Sequence, residues 1–347
     1  MHNFDHITIY PEVSIHSVGN QMDTTSFMLS GTPLSLSPEL TEALKIFLLS
    51  QFKKEEYFRF SISKEETDNQ VYQSVFNIFH DISTLHQESQ RIATFLHESS
   101  VHPQIKKGEF YVVYFKKCLI DHQETDAIGL FKSESKDTFL KVQQIGDSFE
   151  IEPERGVNIN KLDKGCLIFN TAEEEGYKMA IVDNTNRNTE AKYWTNDFLH
   201  IAPYEDNYFQ TQQIMELCKS FVEETIQPTE ATGKVEQAML LNKSLEALKK
   251  KEININRFAE EVFEQPERIE HFKQFKKDYQ KKNNITLQDD FEAAPQAFKR
   301  KGMGTMTTIR LDKNFDINIH GGEQLIERGY DEEKGMYYYR LFFIEER

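Results

Sequence analysis

The 347-residue chain contains no run approaching the roughly 20 consecutive apolar residues that a membrane-spanning helix requires. Its first residues, MHNFDHITIYPEVSIH, lack a basic segment followed by an apolar one, so no secretory leader is expected and a cytoplasmic location is. Cysteine is scarce as well. Cys118, Cys166 and Cys218 are odd in number and far apart, which argues against a disulfide framework and against a CxxC metal knuckle; each lies in an apolar run and reads as a buried thiol. Several enzyme signatures are missing: no GxxxxGK[ST] phosphate loop, no GxGxxG after a strand, no HExxH and no serine nucleophile elbow. His97 and His102 are separated by ESSV, which supplies no general base, and His80 and His86 are spaced like ordinary helix-surface residues. Positive charge is in deficit. The balance of 41 Lys+Arg against 57 Asp+Glu is −16, which argues against a surface that receives polyanions everywhere.

What is present is the material of packed cores. Hydrophobic residues make up 38% of the chain and include 27 Phe, accompanied by 14 Tyr, a composition that folds rather than stays disordered. The length suits two or three domains. Ile7, Ile9, Val13 and Ile15 alternate across Pro11, predicting an edge strand or two short ones. Ser37–Pro38 is an N-cap and first-turn pair, followed by Leu40, Ala43, Leu44, Phe47 and Leu48 at helical spacing. A longer helix is predicted from Val71 through Leu85 to Leu96, ending near Ser99.

From Lys107 the period changes. FYVVYFKKCLI, the turn HQETD and AIGLF read as a hairpin, and FEIE (149–152), CLIFN (166–170) and YKMAIVD (177–183) as further strands. Connections this short cannot hold crossover helices, so the sheet is expected to be antiparallel. Beyond about residue 205 helices return. Ile214, Leu217, Cys218, Phe221 and Val222 form an apolar stripe, and further helices are predicted around 235–248, 258–263 and 269–279. The segment 285–304 reads as a connector, and TTIRL, FDINIH and YYYRLFFIEE as strands. The expected class is α+β: an N-terminal antiparallel sheet with helices (1–205), a helical segment (206–284), and a connector with a small β-rich segment (285–347).

The basic residues are unevenly placed. Residues 1–205 carry 19 Lys+Arg and 31 Asp+Glu, net −12, which leaves −4 for 206–347. Within 268–282 there are six basic and two acidic residues. Lys273, Lys277 and Lys281 fall on one helical stripe roughly opposite Ile269, Phe272, Phe275 and Tyr279, with Lys276 and Lys282 nearer its flanks. Lys299, Arg300 and Lys301 precede Gly302 and Gly304, where backbone amides are able to approach an anion closely. A solvated helix face and a basic turn are the plainer readings of these two clusters; a DNA-phosphate surface is the functional one. Asp121 with Glu134 and Lys136 superficially resembles a metal-dependent nuclease pattern, a match that 57 acidic residues produce by chance.

Several segments, KKGEFYVVYFKKCLI…AIGLFKSES, GVNINKLDKGCLIFN, WTNDFL and FKRKGMGTMTTIRLDKNFDINIHG, together resemble the bacterial 37-kDa nucleoid-associated protein family, in order and through most of the chain. The resemblance implies a cytoplasmic, nucleoid-located, non-enzymatic protein that binds DNA or the machinery working on it. It supplies no DNA-contacting residues, so the candidates remain Lys273, Lys276, Lys277, Lys281, Lys282, Lys299, Arg300 and Lys301. Double-stranded DNA without sequence preference is the expected partner, since no helix-turn-helix, zinc finger or RNP motif is visible. The alternatives are an acidic interaction protein recruited by another nucleoid protein and, as a minor one, the nuclease. No cofactor or metal is expected. The tail YYYRLFF is a candidate homodimer seam or, equally, the closure of a C-terminal core.

Overall fold

The computed structural model describes residues 2–53, 55–61, 69–185, 193–227, 234–299, 308–318 and 325–345. The chain is α+β and divides into two compact units, Met1–Tyr204 and Glu205–Arg347.

The strands of the first unit are β1 (His2–Asn3), β2 (Thr8–Val18), β3 (Leu34–Ser35), β4 (Tyr57–Phe60), β5 (Gly108–Ile120), β6 (Gln123–Ser133), β7 (Asp137–Ile145), β8 (Ser148–Gly156), β9 (Lys164–Phe169), β10 (Lys178–Asp183) and β11 (Ile201–Pro203). Its helices are α1 (Pro38–Leu49), α2 (Gln70–His80) and α3 (Leu85–Ser99). One antiparallel sheet runs β11-β4-β10-β9-β6-β5-β2-β3, with β1 also on β5. Alternate residues of its strands feed two cores. Phe110, Val112 and Tyr114 of β5, with Cys166 and Ile168 of β9, meet Val71, Val75, Ile78, Ile92 and Leu96 of α2 and α3. Tyr111, Val113 and Phe115, with Leu167 and Phe169, join the core of Leu44, Phe47 and Leu48 from α1. The period of two therefore sends apolar side chains to both faces, and helices cover each. All three cysteines are buried, and burial pushes the Cys118 and Cys218 thiols up to about 12.

Local chemistry explains the details. Ser37 accepts the Leu40 N–H and Pro38 opens α1, while Pro11 sits where the β2–β5 register shifts between Ile9 and Val13. The long helix predicted over 71–96 is two helices. Asp81 breaks it, its carboxylate accepting the Ser83 N–H at 3.0 Å, and the apolar phase carries on across the turn, which hides the break from periodicity. The β5–β6 turn is only Asp121–His122, both at positive φ, so HQETD is mostly strand. Strand β7 was not foreseen.

The second unit contains α4 (Asn207–Thr225), α5 (Val235–Leu248), β12 (Glu252–Asn254), α6 (Ile255–Phe263), α7 (Pro266–Asn283), β13 (Asp290–Glu292), β14 (Thr308–Leu311), β15 (Phe315–Asn318), β16 (Ile326–Asp331) and β17 (Met336–Leu341). Phe221 centres its core, with ring centroids 4.9 Å from Phe263 and 5.2 Å from Phe272. The stretch read as a connector differs from that reading through residue 299. Leu287, Phe291 and Ala297 are buried in the helical core, β13 pairs with β12, and the Ala294 N–H donates to Thr211 Oγ1 at 3.0 Å. Its three apolar anchors are too sparse to register as a periodic element.

Candidate nucleic-acid interface

The core contacts of α7 decide where its lysines point. Pro266 occupies the first turn, where a missing N–H costs nothing, and Asn284 ends the helix in the left-handed conformation at φ 51°. Phe272 is buried among α4 and α6 residues, with Ile269, Phe275 and Tyr279 packed beside it. Lys273, Lys277 and Lys281 follow at four-residue steps, about 6 Å apart along the axis, on the face turned away from that core. Lys277, Lys281 and Lys282 are exposed and Lys273 is half-buried. None of these four forms an ion pair among the described residues. Lys281 and Lys282 also lie in the last turn, where cations offset the negative end of the helix dipole by about 0.3–1 kcal/mol each.

Lys276 stands apart from the other candidates on α7. At about 100° per residue it lies between Ile269 and Phe272, inside the apolar arc. Accordingly it is 8% exposed, with its ammonium 2.5 Å from Asp289 Oδ1. Its ammonium is thus paired and largely withdrawn from solvent, unlike those of Lys277, Lys281 and Lys282. Lys299 ends the short 3₁₀ helix Pro295–Lys299; its side chain, Arg300 and Lys301 lie outside the described residues.

The nuclease-like residues do not assemble. Asp121 Oδ2 accepts from Lys178 at 2.8 Å, Glu134 Oε1 from Lys132 at 2.8 Å, and Lys136 pairs with Glu109. Each carboxylate has its own cation, on different strand ends. Among the described residues no group of three or more His, Cys, Asp or Glu side chains is placed to hold a metal ion.

Two features escaped the sequence reading. The first is a buried polar network at the ends of β6, β9 and β10. Lys132 donates to Lys106 O at 3.0 Å and to Glu134; Lys164 donates to both Asp183 oxygens at 3.0 and 2.9 Å and to Thr185 Oγ1 at 2.6 Å. Asp163 gathers the N–H groups of Glu134 and Ser135 at 2.6 and 2.8 Å. Desolvation lowers the Lys132 pKa, partly offset by Glu134, and burial raises that of Tyr193, which packs under both ammonium groups. Its sequence signal is a lysine at each of two inward positions of otherwise apolar runs. The second is a groove of about 1130 Å³ between the β14–β15 and β16–β17 hairpins. Ile309, Leu311 and Phe315 line it, along with Arg328, whose guanidinium lies 3.8 Å from the Tyr337 ring centroid. It required the pairing of β16, a strand the reading had not foreseen, with β17.

A family model for the nucleoid-associated protein YejK matches residues 14–336. No curated protein matches the chain.

Proposed function

Because the chain belongs to the family of the nucleoid-associated protein YejK, we propose that it is a non-enzymatic nucleoid protein that binds duplex DNA, largely without sequence preference, through the lysine face of α7. The carrying observation is that Lys273, Lys277 and Lys281 share one face of a helix whose opposite side is committed to the core, with Lys282 exposed at the flank and none of the four in an ion pair among the described residues. Lys299, Arg300 and Lys301 extend the proposal along the sequence. Four phosphate contacts imply a logarithmic salt slope of about −3 to −4, or about a hundredfold loss of affinity between roughly 50 and 200 mM salt. Such binding is strong at low salt and weak in a cell unless several copies act together.

One observation favours a second reading. Residues 1–205 hold −12 of the total −16, and that charge suits contact with a basic protein better than with DNA. In that reading a partner recruits the chain to the nucleoid. Anisotropy titration of a labelled generic duplex across salt separates the two: direct binding with the slope above supports the first, and no binding at low salt supports recruitment.

A further inference from the structure

The hairpin of β7 and β8 pairs with itself in register from Asp137–Gly156 to Ile145–Ser148 and, among the described residues, joins no other sheet. At about 3.3 Å per residue each nine-residue strand is about 30 Å long. The register sorts its side chains into two faces. Thr138, Leu140, Val142 and Gln144 stand with Arg155, Pro153, Ile151 and Phe149 on one; Asp137, Phe139, Lys141, Gln143 and Ile145 stand with Gly156, Glu154, Glu152, Glu150 and Ser148 on the other. The middle of the first face is apolar, bounded by Thr138 and Arg155 at its base and Gln144 near its turn, yet Leu140 is 70%, Val142 57%, Phe149 69% and Ile151 62% exposed. A two-stranded hairpin alone is marginally stable in water, so a ribbon of this length with its apolar face in solvent lacks the packing that strands of this kind need.

We propose that this face is covered by the same face of a second copy of the chain, two ribbons packing face to face about a two-fold axis. The other occupants fit less well. Residues 137–156 carry Lys141 and Arg155 against Asp137, Asp147, Glu150, Glu152 and Glu154, 2 − 5 = −3, which repels nucleic acid and anionic lipid surfaces. A copy meets the same charge, but with apolar faces together the glutamate rows point outward on opposite sides of a layer about 10 Å thick. Area supports the pairing as well. The four exposed side chains present on the order of 500 Å² per copy, at the upper end of what a monomer leaves bare. Two copies remove about 1,000 Å², enough to reach the lower bound of a specific interface, and an isologous contact lets Leu140 and Val142 of one copy face Phe149 and Ile151 of the other.

The test uses the full chain. Light scattering on a size-exclusion column is expected to give twice the chain mass, and Leu140→Ser with Ile151→Ser is expected to give the monomer mass with an unchanged far-ultraviolet circular dichroism spectrum. In a second arm, Gln144→Cys in the otherwise unaltered chain is treated with a short bismaleimide, to which the buried native cysteines are closed. A cross-linked dimer is expected. A monomeric parent chain, a dimer that survives both serine substitutions, or a dimer that Gln144→Cys fails to cross-link overturns the proposal.

Discussion

His16 lies in β2 with Nδ1 accepting the Ser30 N–H at 3.1 Å and Nε2 donating to Ser89 Oγ at 2.9 Å, while Ser89 Oγ in turn donates to His86 O at 2.6 Å. Those contacts suit only the neutral ring, because a proton on Nδ1 displaces the Ser30 bond. Burial, with a smaller contribution from His86, lowers its pKa from 6.5 to about 4. The unfolded chain thus binds a proton that the folded chain refuses. Stability from this residue is complete above pH 6.5 and is lost as pH falls from 6.5 toward 4, by at most about 3 kcal/mol. Urea midpoints measured across that window are expected to fall in the parent chain and to flatten in His16→Gln; an identical slope in both assigns the effect elsewhere. Lysines on α7 make a second contrast at this scale. Lys276→Gln is expected to leave duplex affinity unchanged and to cost no more than about 1 kcal/mol, since Asp289 is mostly exposed. Lys277→Gln is expected to weaken binding and leave stability alone. Parallel anisotropy and urea titrations check both, and equal losses of affinity dispose of the distinction. Helical arithmetic sets Lys276 between Ile269 and Phe272, a flank position that the sequence reading kept among the candidates and that the packing of α7 buries. The Lys132–Lys164 network was not legible in the sequence, since the partners Asp163 and Asp183 come from strand ends that only the sheet brings together.

At the scale of elements, the proposed function gives the solvent face of α7 to DNA and leaves its other face to the core, and the salt slope reads the first. Lys277→Ala and Lys281→Ala are each expected to reduce the slope by about 0.9, and the pair by about twice that. Slopes that do not move place the phosphate contacts on another element. The opposite face is read by stability. Phe221→Ala removes the ring shared by Phe263, Phe272 and Phe275 and is expected to cost about 3–5 kcal/mol in urea unfolding of the second unit, against little for an exposed position. Elements with strong apolar periodicity and a cap, such as α1 with Ser37–Pro38 and α4 with its Phe221 stripe, were legible from residues alone. Elements that depend on distant partners were not: β12, β13 and β16 are short strands whose register is set by pairing, and β7 hides because Lys141, Gln143 and Gln144 dilute its alternation. The break at Asp81 was visible only as an Asp followed by Ser, a signal that the continuing apolar phase outweighed.

For the whole molecule, the charge partition is the central physical fact. A sum of −16 divides into −12 in residues 1–205 and −4 in the remainder, so the acidic excess is concentrated in the N-terminal part of the chain. Under the proposed function the second unit meets DNA, and the acidic first unit is left for protein contacts. Binding is then expected to depend on very few cations despite the unfavourable total, and to be abolished by reversing them. The most direct measurement is the affinity of the full chain for a generic duplex at about 50 mM salt, before and after Lys273→Glu, Lys277→Glu and Lys281→Glu are combined, with circular dichroism melting as the control for the fold. The expected result is measurable binding by the parent and its loss in the triple variant at an unchanged melting temperature. Undiminished binding by a folded triple variant contradicts the assignment of DNA contact to α7.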